Sequence, residues 1–181
     1  LDQGRGDVCE PVDRAESEPA IARAVNATAP SIIAEAAARR HVPVIHVSTD
    51  YVFDGTKQGY YREDDPVNPV SVYGRTKQEG EEAIIAAGGE YAIIRTAWVL
   101  SVQGANFLNT MLQLAANRAE VRLVDDQLGC PTSADDIASA LLEIVGRNMK
   151  KSGIWHYANA GETNWHDLAA YVFCEAGQRG L

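Results

Sequence analysis

Three side chains between positions 48 and 77 are of types that can move a proton to or from an oxygen atom. Tyr73 and Lys77 are four residues apart in a segment that predicts a helix, and this spacing places phenol and ammonium on one face. A neighbouring ammonium favours phenolate, which predicts a lowered pKa for Tyr73 and general acid–base activity near neutral pH. Thr49 follows an apolar run and can hold the same oxygen. The pattern indicates carbonyl reduction or alcohol oxidation, given a hydride carrier alongside.

The Tyr-x-x-x-Lys pair also has a plainer interpretation, a half-buried ring and a solvated charge on an ordinary helix. The position of Thr49 favours the catalytic interpretation. Residues 43–47 predict a buried strand that ends just before Thr49. Open α/β sheets bind ligands at the carboxyl ends of their strands, so a hydroxyl at that point is well placed for chemistry.

Composition limits the class of protein. The 181 residues, 46% hydrophobic and 23% charged, are typical of one globular domain. A net charge of −9 argues against nucleic acid or an anionic membrane as partner. No apolar run reaches membrane-spanning length and no signal peptide opens the sequence, which predicts no membrane association. Cys9, Cys130 and Cys174 form no disulfide framework or zinc motif, and free thiols predict a cytoplasmic location.

Helical and strand patterns alternate along the chain. This alternation predicts an α/β fold with a doubly wound, mostly parallel, Rossmann-like sheet. Pro30 is expected to kink or split the first long helix. The predicted elements are a helix from about 17 to 40, a strand at 43–48, a loop at 54–70, a helix at 71–87, a strand at 91–96, a helix at 106–118, a strand at 121–124, a helix from 133 to about 145, a strand at 153–158 and a helix from 163 or 164 to about 176.

Eight stretches in order from Val12 to about Glu175 resemble the dTDP-4-dehydrorhamnose reductases, a family of the extended short-chain dehydrogenase/reductase superfamily. They are VDRAESEP, AVNAT, STDYVFDG, YREDDPVNPVSVYGRTKQEGE, IIRTAWVLS, NFLNTML, VDDQLGCPTSADDIA and GIWHYANAGETNW. The resemblance implies reduction of the 4-keto group of dTDP-4-dehydro-β-L-rhamnose by NADPH or NADH. The product would be dTDP-L-rhamnose, a precursor of bacterial surface polysaccharides.

The resemblance also implies catalytic roles for residues at matching positions. Tyr73 would donate a proton to the C4 oxygen, and Thr49 would steady that oxygen. Lys77 would lower the pKa of Tyr73 and bind the nicotinamide ribose. Ser48 would also lie at the cofactor.

Five further positions match residues that bind the sugar nucleotide or a metal. Asp50 and Trp98 would contact the sugar nucleotide, and Gln127, with Asp126, would line its nucleotide end. Core packing is an equally good interpretation of Trp98. A carboxylate at the position of Asp135 joins a magnesium site in some family members, but a helix-dipole cap is the preferred interpretation here.

The sequence departs from the family at both ends. The family begins with a strand and a Gly-x-x-Gly-x-x-Gly-type turn that cradles the pyrophosphate, and Gly4-x-Gly6 follows no strand. Residues 1–12 are therefore interpreted as an atypical segment, and 13–181 as an incomplete NAD(P)-binding domain with interleaved substrate-binding segments. The sheet is expected to lack its N-terminal strand or strands and to carry part of a small substrate-binding region. The chain by itself is expected to be inactive.

Two alternatives from other classes stay open. One is the non-catalytic regulatory subunit of methionine adenosyltransferase, which is similar in sequence. The other is a nucleotide-sugar epimerase or dehydratase, and Asp50 would be the extra carboxylate that a dehydratase needs. A homodimer is a further arrangement left open, as is the choice between NADPH and NADH.

Overall fold

The computed structural model describes residues 11–118, 120–147 and 151–180. Cys9 and the first ten residues of the predicted atypical segment lie outside the described residues. The described residues divide into two compact units, here called unit 1 (97–118, 120–138 and 158–180) and unit 2 (11–96, 139–147 and 151–157). Within the described ranges, none of the helices has the length and apolar character needed to cross a bilayer.

Unit 2 opens with helical segments, most of which follow the predicted helix. They are α1 (Pro11–Ser17), α2 (Pro19–Arg23), a π-helical segment (Ala24–Thr28) and α3 (Ala29–Ala38). The separate helix α1 was not predicted. Glu18 divides it from α2 at φ −128° and ψ 57°, because a residue before proline is pushed out of the α region. The kink expected from Pro30 takes the form of the π segment, where the Ala29 N–H bonds the Ala24 carbonyl.

The predicted parallel sheet is present in unit 2. Its strands are β1 (Val44–Thr49), β2 (Tyr91–Thr96) and β6 (Gly153–His156), in the spatial order β1-β2-β6 and all parallel. Helix α4 (Val72–Ala86) connects β1 to β2 and packs against both. Ala34 of α3, Ile84 of α4 and Ile93 of β2 form the core between helices and sheet. The core therefore fixes α4 against the strand that ends at Thr49.

Unit 1 is held together mainly by α5 (Phe107–Asn117) and α7 (Trp165–Gln178), which pack on each other. Their core residues are Met111, Ala169 and Val172. The short strands are β3 (Val99–Leu100), β4 (Leu128–Gly129), β5 (Thr132–Ser133) and β7 (Thr163–Asn164), with β3 parallel to β5 and β4 antiparallel to β7. Helix α6 (Ala134–Gly146) begins in unit 1. Two-residue strands carry too little periodicity to be predicted.

The predicted strand at 121–124 is wrong, because no ladder forms along this segment. Val121 and Leu123 do pack alternately into the core of unit 1, as the period-two pattern indicates. A backbone hydrogen bond 3.1 Å long runs instead from the His166 N–H to the Val124 carbonyl. The segment is extended and half-buried, but side-chain alternation alone does not make a strand. The predicted strand at 153–158 likewise ends earlier, at His156.

Candidate functional site

Thr49 is the last residue of β1, at the carboxyl end of the parallel sheet. Its side chain is buried, and its Oγ1 accepts a hydrogen bond from the Tyr51 N–H at 3.2 Å and donates to Asp50 at 3.2 Å. The bond to Tyr51 caps a 3-10 turn over Asp50–Val52 that starts directly after the strand. Local structure therefore fixes the direction of the hydroxyl.

Tyr73 lies in the first turn of α4. Ser71 sets the start of this helix, because its Oγ accepts a hydrogen bond from the Gly74 N–H at 3.0 Å. Gly74 is required by packing, since a Cβ there would lie 2.1 Å from the Tyr51 carbonyl oxygen. This close approach sets the Tyr73 ring edge-on to Tyr51, with centroids 5.8 Å apart. The Tyr73 phenol thereby lies near the Thr49 hydroxyl, which influences its pKa.

The loop between β1 and α4 is organised by one carboxylate. Asp54 accepts hydrogen bonds from the Thr56 N–H at 3.0 Å, the Tyr61 hydroxyl at 2.7 Å and the Asn68 amide at 3.0 Å. These bonds, with that of Asn68 the strongest influence, hold the pKa of Asp54 well below its usual range. The long predicted loop at 54–70 is thus an ordered connection between the two elements that carry the site.

The ionisation of Tyr73 differs from the sequence-based prediction. Burial raises the pKa of Tyr73 above its usual value; hydrogen bonding with Thr49 lowers it, and the charge of Asp50 raises it further. The prediction that Lys77 lowers this pKa is therefore wrong for the chain as described. At neutral pH the phenol keeps its proton, which is the form that a proton donor needs.

Lys77 is engaged by β1 instead. Its Nζ donates to the Val47 carbonyl at 2.7 Å and lies 3.3 Å from His46 Nε2. Burial lowers the pKa of Lys77, while the charge of Glu81 opposes that change. Burial, followed by the Lys77 charge, also lowers the pKa of His46 to about 4. The imidazole is therefore neutral at physiological pH and can accept a hydrogen bond from the ammonium.

Ser48 directs its hydroxyl away from solvent. Its Oγ donates to Glu81 Oε1 at 2.5 Å, and Arg95 binds the same carboxylate through Nε at 3.0 Å and Nη2 at 2.7 Å. All three residues are buried, with exposed fractions of 3%, 3% and 5% for Ser48, Glu81 and Arg95. The single hydroxyl proton of Ser48 is thus committed to Glu81, and a contact of Ser48 with a cofactor stays a prediction.

The carboxyl group of Asp50 sits beside Thr49 at the same strand end. Although Asp50 as a whole is solvent-exposed, protein atoms crowd its carboxyl group, and this desolvation raises its pKa. Hydrogen bonds from Thr49 and from backbone amides oppose the rise. A sugar-nucleotide contact of Asp50 stays a prediction.

In unit 1, Trp98 belongs to an aromatic cluster. Its ring stacks on Trp165 with centroids 3.5 Å apart and planes 8° apart, and Phe107 lies 4.5 Å from Trp165. Trp165 Nε1 donates to Gln127 Oε1 at 3.2 Å. Two of the predicted substrate residues, Trp98 and Gln127, are therefore joined through a third residue that the sequence did not single out. Packing of Trp98 is present, and its nucleotide contact stays a prediction.

The backbone at Trp98 is unusual. Trp98 has φ +47°, a left-handed conformation that is rare for a bulky residue. Gly129 leaves room for the indole, because a Cβ there would lie 2.3 Å from the Trp98 ring. The cluster thus holds Trp98 in a backbone conformation that is unfavourable for a bulky residue.

Asp135 occupies the first turn of α6, as the helix-dipole interpretation requires. The preceding Ser133 accepts a hydrogen bond from the Asp136 N–H at 3.3 Å and caps the helix. No set of three or more His, Cys, Asp or Glu side chains arranged to hold a metal ion occurs among the residues that the structure describes. A magnesium role of Asp135 stays untested.

The structure brings Thr49, Tyr73 and Asp50 together in unit 2 and adds contacts that the sequence interpretation missed. Two signals for them were present. Glu81 continues the four-residue spacing of Tyr73 and Lys77 along one helix face. Arg95 is a charged residue inside the apolar strand β2, which is unusual unless it is paired. His46 offered no such signal.

A protein-family model described as the RmlD substrate binding domain matches residues 9–180. The chain is 52% identical over 167 residues to a protein of Sinorhizobium fredii named dTDP-4-dehydrorhamnose reductase, covering 90% of this chain and 56% of that protein. A protein of the same name from Salmonella typhimurium is 42% identical, with 94% and 58% covered. The chain thus spans less than two thirds of the length of these relatives.

Solved structures agree with these sequence matches. A dTDP-4-dehydrorhamnose reductase from Clostridium acetobutylicum superimposes with a TM-score of 0.88 at 38% identity, covering 93% of this chain and 59% of that one. The corresponding reductase from Bacillus anthracis, solved in complex with NADP, gives a TM-score of 0.87 at 32% identity, with 92% and 59% covered.

Proposed function

This chain belongs to the RmlD substrate binding domain family, and on that premise we propose that the protein containing it is a dTDP-4-dehydrorhamnose reductase. The reaction reduces the 4-keto group of dTDP-4-dehydro-β-L-rhamnose to an alcohol and yields dTDP-L-rhamnose. NADPH or NADH supplies the hydride. This activity is a proposal for the whole protein, because the chain spans 56% of the length of its relative from Sinorhizobium fredii.

The observation that carries the proposal is the proximity of the Tyr73 phenol to the Thr49 hydroxyl at the carboxyl end of β1, close enough for Thr49 to influence the pKa of Tyr73. Reduction of a ketone requires a hydride at carbon and a proton at oxygen. The Tyr73 phenol supplies the proton, and Thr49 holds the same oxygen through its hydroxyl. Burial keeps the phenol protonated until a substrate oxygen takes up negative charge.

The remaining predicted residues take supporting roles in the proposal. Lys77 binds the nicotinamide ribose and, with Ser48, forms the cofactor side of the site. Asp50, Trp98 and Gln127 contact the sugar nucleotide. A reductase of the family, that of Bacillus anthracis, was solved in complex with NADP, and this supports a nicotinamide cofactor for the present protein.

The test is consumption of NADPH by the complete protein, supplied with the dTDP-keto sugar and followed by the loss of NADPH absorbance. NADH in place of NADPH measures the cofactor preference. The dTDP sugar that already carries the 4-alcohol is the matched control, because it has no carbonyl to reduce. Loss of NADPH with the keto sugar but not with the 4-alcohol supports the proposal. If NADPH is lost with neither of the two sugars, the proposal is contradicted.

The alternatives left open by the sequence are not favoured. Curated relatives from Sinorhizobium fredii and Salmonella typhimurium are named reductases, and neither is named a regulatory subunit, an epimerase or a dehydratase. A dehydratase would convert its substrate without net consumption of NADPH, so the same assay separates it. A homodimer and a cytoplasmic location stay predictions of the sequence.

A further inference from the structure

We propose that the buried ion pair of Glu81 and Arg95 is a positioning element for the reaction. It holds Ser48, and with it the end of β1 that carries Thr49, and it places a fixed negative charge one helical turn from Lys77. The catalytic consequence rests on the proposed function, whereas the contacts themselves do not.

The Glu81–Arg95 ion pair involves the same face of α4 that carries the proton donor Tyr73. Tyr73, Lys77 and Glu81 follow one another at four-residue spacing, so they form one stripe on the face of α4 that meets the sheet. Ser48 of β1 and Arg95 of β2 are opposite each other in the parallel register. Glu81 accepts from both, and a single carboxylate therefore joins α4, β1 and β2 beneath the strand end.

The carboxylate leaves little freedom to these neighbours. Arg95 binds it in bidentate geometry, and Ser48 donates to the oxygen that Arg95 Nε also contacts. The Arg95 guanidinium carbon lies 5.1 Å from the centroid of the Phe53 ring, which holds its other side. Phe53 follows the 3-10 turn that Thr49 caps, so the network returns to the catalytic strand end.

Stability alone does not account for this ion pair. Removing two charges from water is costly, and apolar side chains of similar volume often replace a buried ion pair without loss of stability. A buried pair does impose direction, since each hydrogen bond has one favourable geometry. Apolar residues could neither orient the Ser48 hydroxyl nor place a charge near Lys77.

Glu81 is the negative group that faces Lys77. Its charge raises the pKa of Lys77 against the effect of burial. The other neighbours of the ammonium are His46 and the Val47 carbonyl of β1. Three charged groups of neighbouring elements bind partners on α4 other than Lys77: Arg95 of β2 binds Glu81, Arg23 of α2 binds Glu79, and Glu16 of α1 binds the Val72 N–H. Asp50 of the 3-10 turn accepts a hydrogen bond from Thr49, and its charge acts on Tyr73.

The first test uses Glu81→Gln in the complete protein, with Glu79→Gln as the matched control. Glu79 lies on the same helix and pairs with Arg23 in an exposed ion pair. We expect Glu81→Gln to lower kcat at least about tenfold with little change in the KM of the sugar nucleotide, because a small misplacement of catalytic groups is costly. In the pH profile of kcat, the change at the basic side should move to lower pH, because the Glu81 charge no longer raises the pKa of Lys77. Glu79→Gln should change none of these.

A second pair of variants separates positioning from folding. Glu81→Leu combined with Arg95→Met removes both charges, and it should keep a native-like Tm while kcat falls and the change at the basic side of the pH profile moves. Native kcat and pH profile in this folded variant would overturn the proposal. If it does not fold, Ser48→Ala decides: lowered kcat with unchanged Tm and NADPH KM supports the proposal, and unchanged kcat overturns it.

A readout without activity separates this inference from the proposed function. Titration of Lys77 by NMR with isotope-labelled lysine should give a lower pKa in Glu81→Gln than in Glu79→Gln. An equal pKa in the two variants contradicts the electrostatic role. If the unchanged protein does not oxidise NADPH with the keto sugar, the proposed function fails, while this titration still tests the placement of charge.

Discussion

The surroundings of Tyr73 in unit 2 and of Trp98 in unit 1 are built by different forces. Tyr73 is positioned by polar contacts: its phenol lies near the Thr49 hydroxyl, Ser71 caps its helix, and Asp54 organises the loop between strand and helix. Trp98 is set by ring packing on Trp165.

The difference matters for what each region can do. Hydrogen bonds have narrow geometry and fix individual atoms, as proton transfer requires. Stacked rings can shift in their plane at little cost and suit the binding of a flat or apolar ligand surface. We therefore expect variants near Tyr73 to act on kcat and on pH dependence. Variants near Trp98 should act on KM and on stability.

The largest effect is expected for Tyr73→Phe in the complete protein. The ring remains and only the proton-carrying oxygen is lost, so kcat should fall by about 10²–10⁴-fold with little change in the KM of the sugar nucleotide. Tyr60→Phe is the control, because Tyr60 is 75% exposed. Steady-state kinetics measure both. Retention of more than about a tenth of the activity by Tyr73→Phe would rule out the proton-donor role.

The next largest effect is expected on the pH dependence of the free energy of unfolding, and His46 is its source. Its pKa is about 4 in the folded chain, against an ordinary value of 6.5, so the unfolded chain binds more protons between these limits. The free energy of unfolding should therefore fall as pH drops from about 6.5 to about 4, by at most about 3 kcal/mol. Urea unfolding of native protein and His46→Gln across this range measures the difference.

His41→Asn is the matched control for this experiment. His41 is exposed and has φ +54°, a conformation that Asn tolerates. It should keep the native acid destabilisation, whereas His46→Gln should flatten it. An equal slope in His46→Gln and native protein would mean that His46 titrates normally in the folded state.

Trp98→Ala should raise the KM of the sugar nucleotide more than it lowers kcat, because a stacking surface contributes equally to ground state and transition state. It should also lower the free energy of unfolding by roughly 1–3 kcal/mol through loss of the Trp165 stack. Thermal unfolding and kinetics are measured together. Lowered stability with an unchanged KM would leave packing as the sole role of Trp98.

The smallest effect is expected for Ser71→Ala, which removes the cap of α4. Loss of the hydrogen bond from the Gly74 N–H should cost about 1 kcal/mol of unfolding free energy. Since the cap sets the turn that carries Tyr73, kcat should also fall modestly. Ser31→Ala is the control, because the Ser31 hydroxyl on α3 makes only an exposed hydrogen bond to Glu35. A stability loss without change in kcat would separate the cap from the placement of Tyr73.

Much of the fold follows from sequence patterns where those patterns are long. The predicted helix at 71–87 corresponds to Val72–Ala86, and the predicted strand at 91–96 is present with the same bounds. The prediction at 121–124 failed because a strand needs a partner, and partners are chosen in three dimensions. The break between α1 and α2 was missed although its cause, Pro19, is local.

The sequence by itself determined the family and the face of α4 that carries Tyr73, Lys77 and Glu81, because helical spacing is a local property. Only the tertiary structure decided how these groups ionise. Lys77 reaches the Val47 carbonyl and His46, and burial raises the pKa of Tyr73. Ionisation depends on desolvation and on neighbours distant in sequence, neither of which can be deduced from a spacing of four residues.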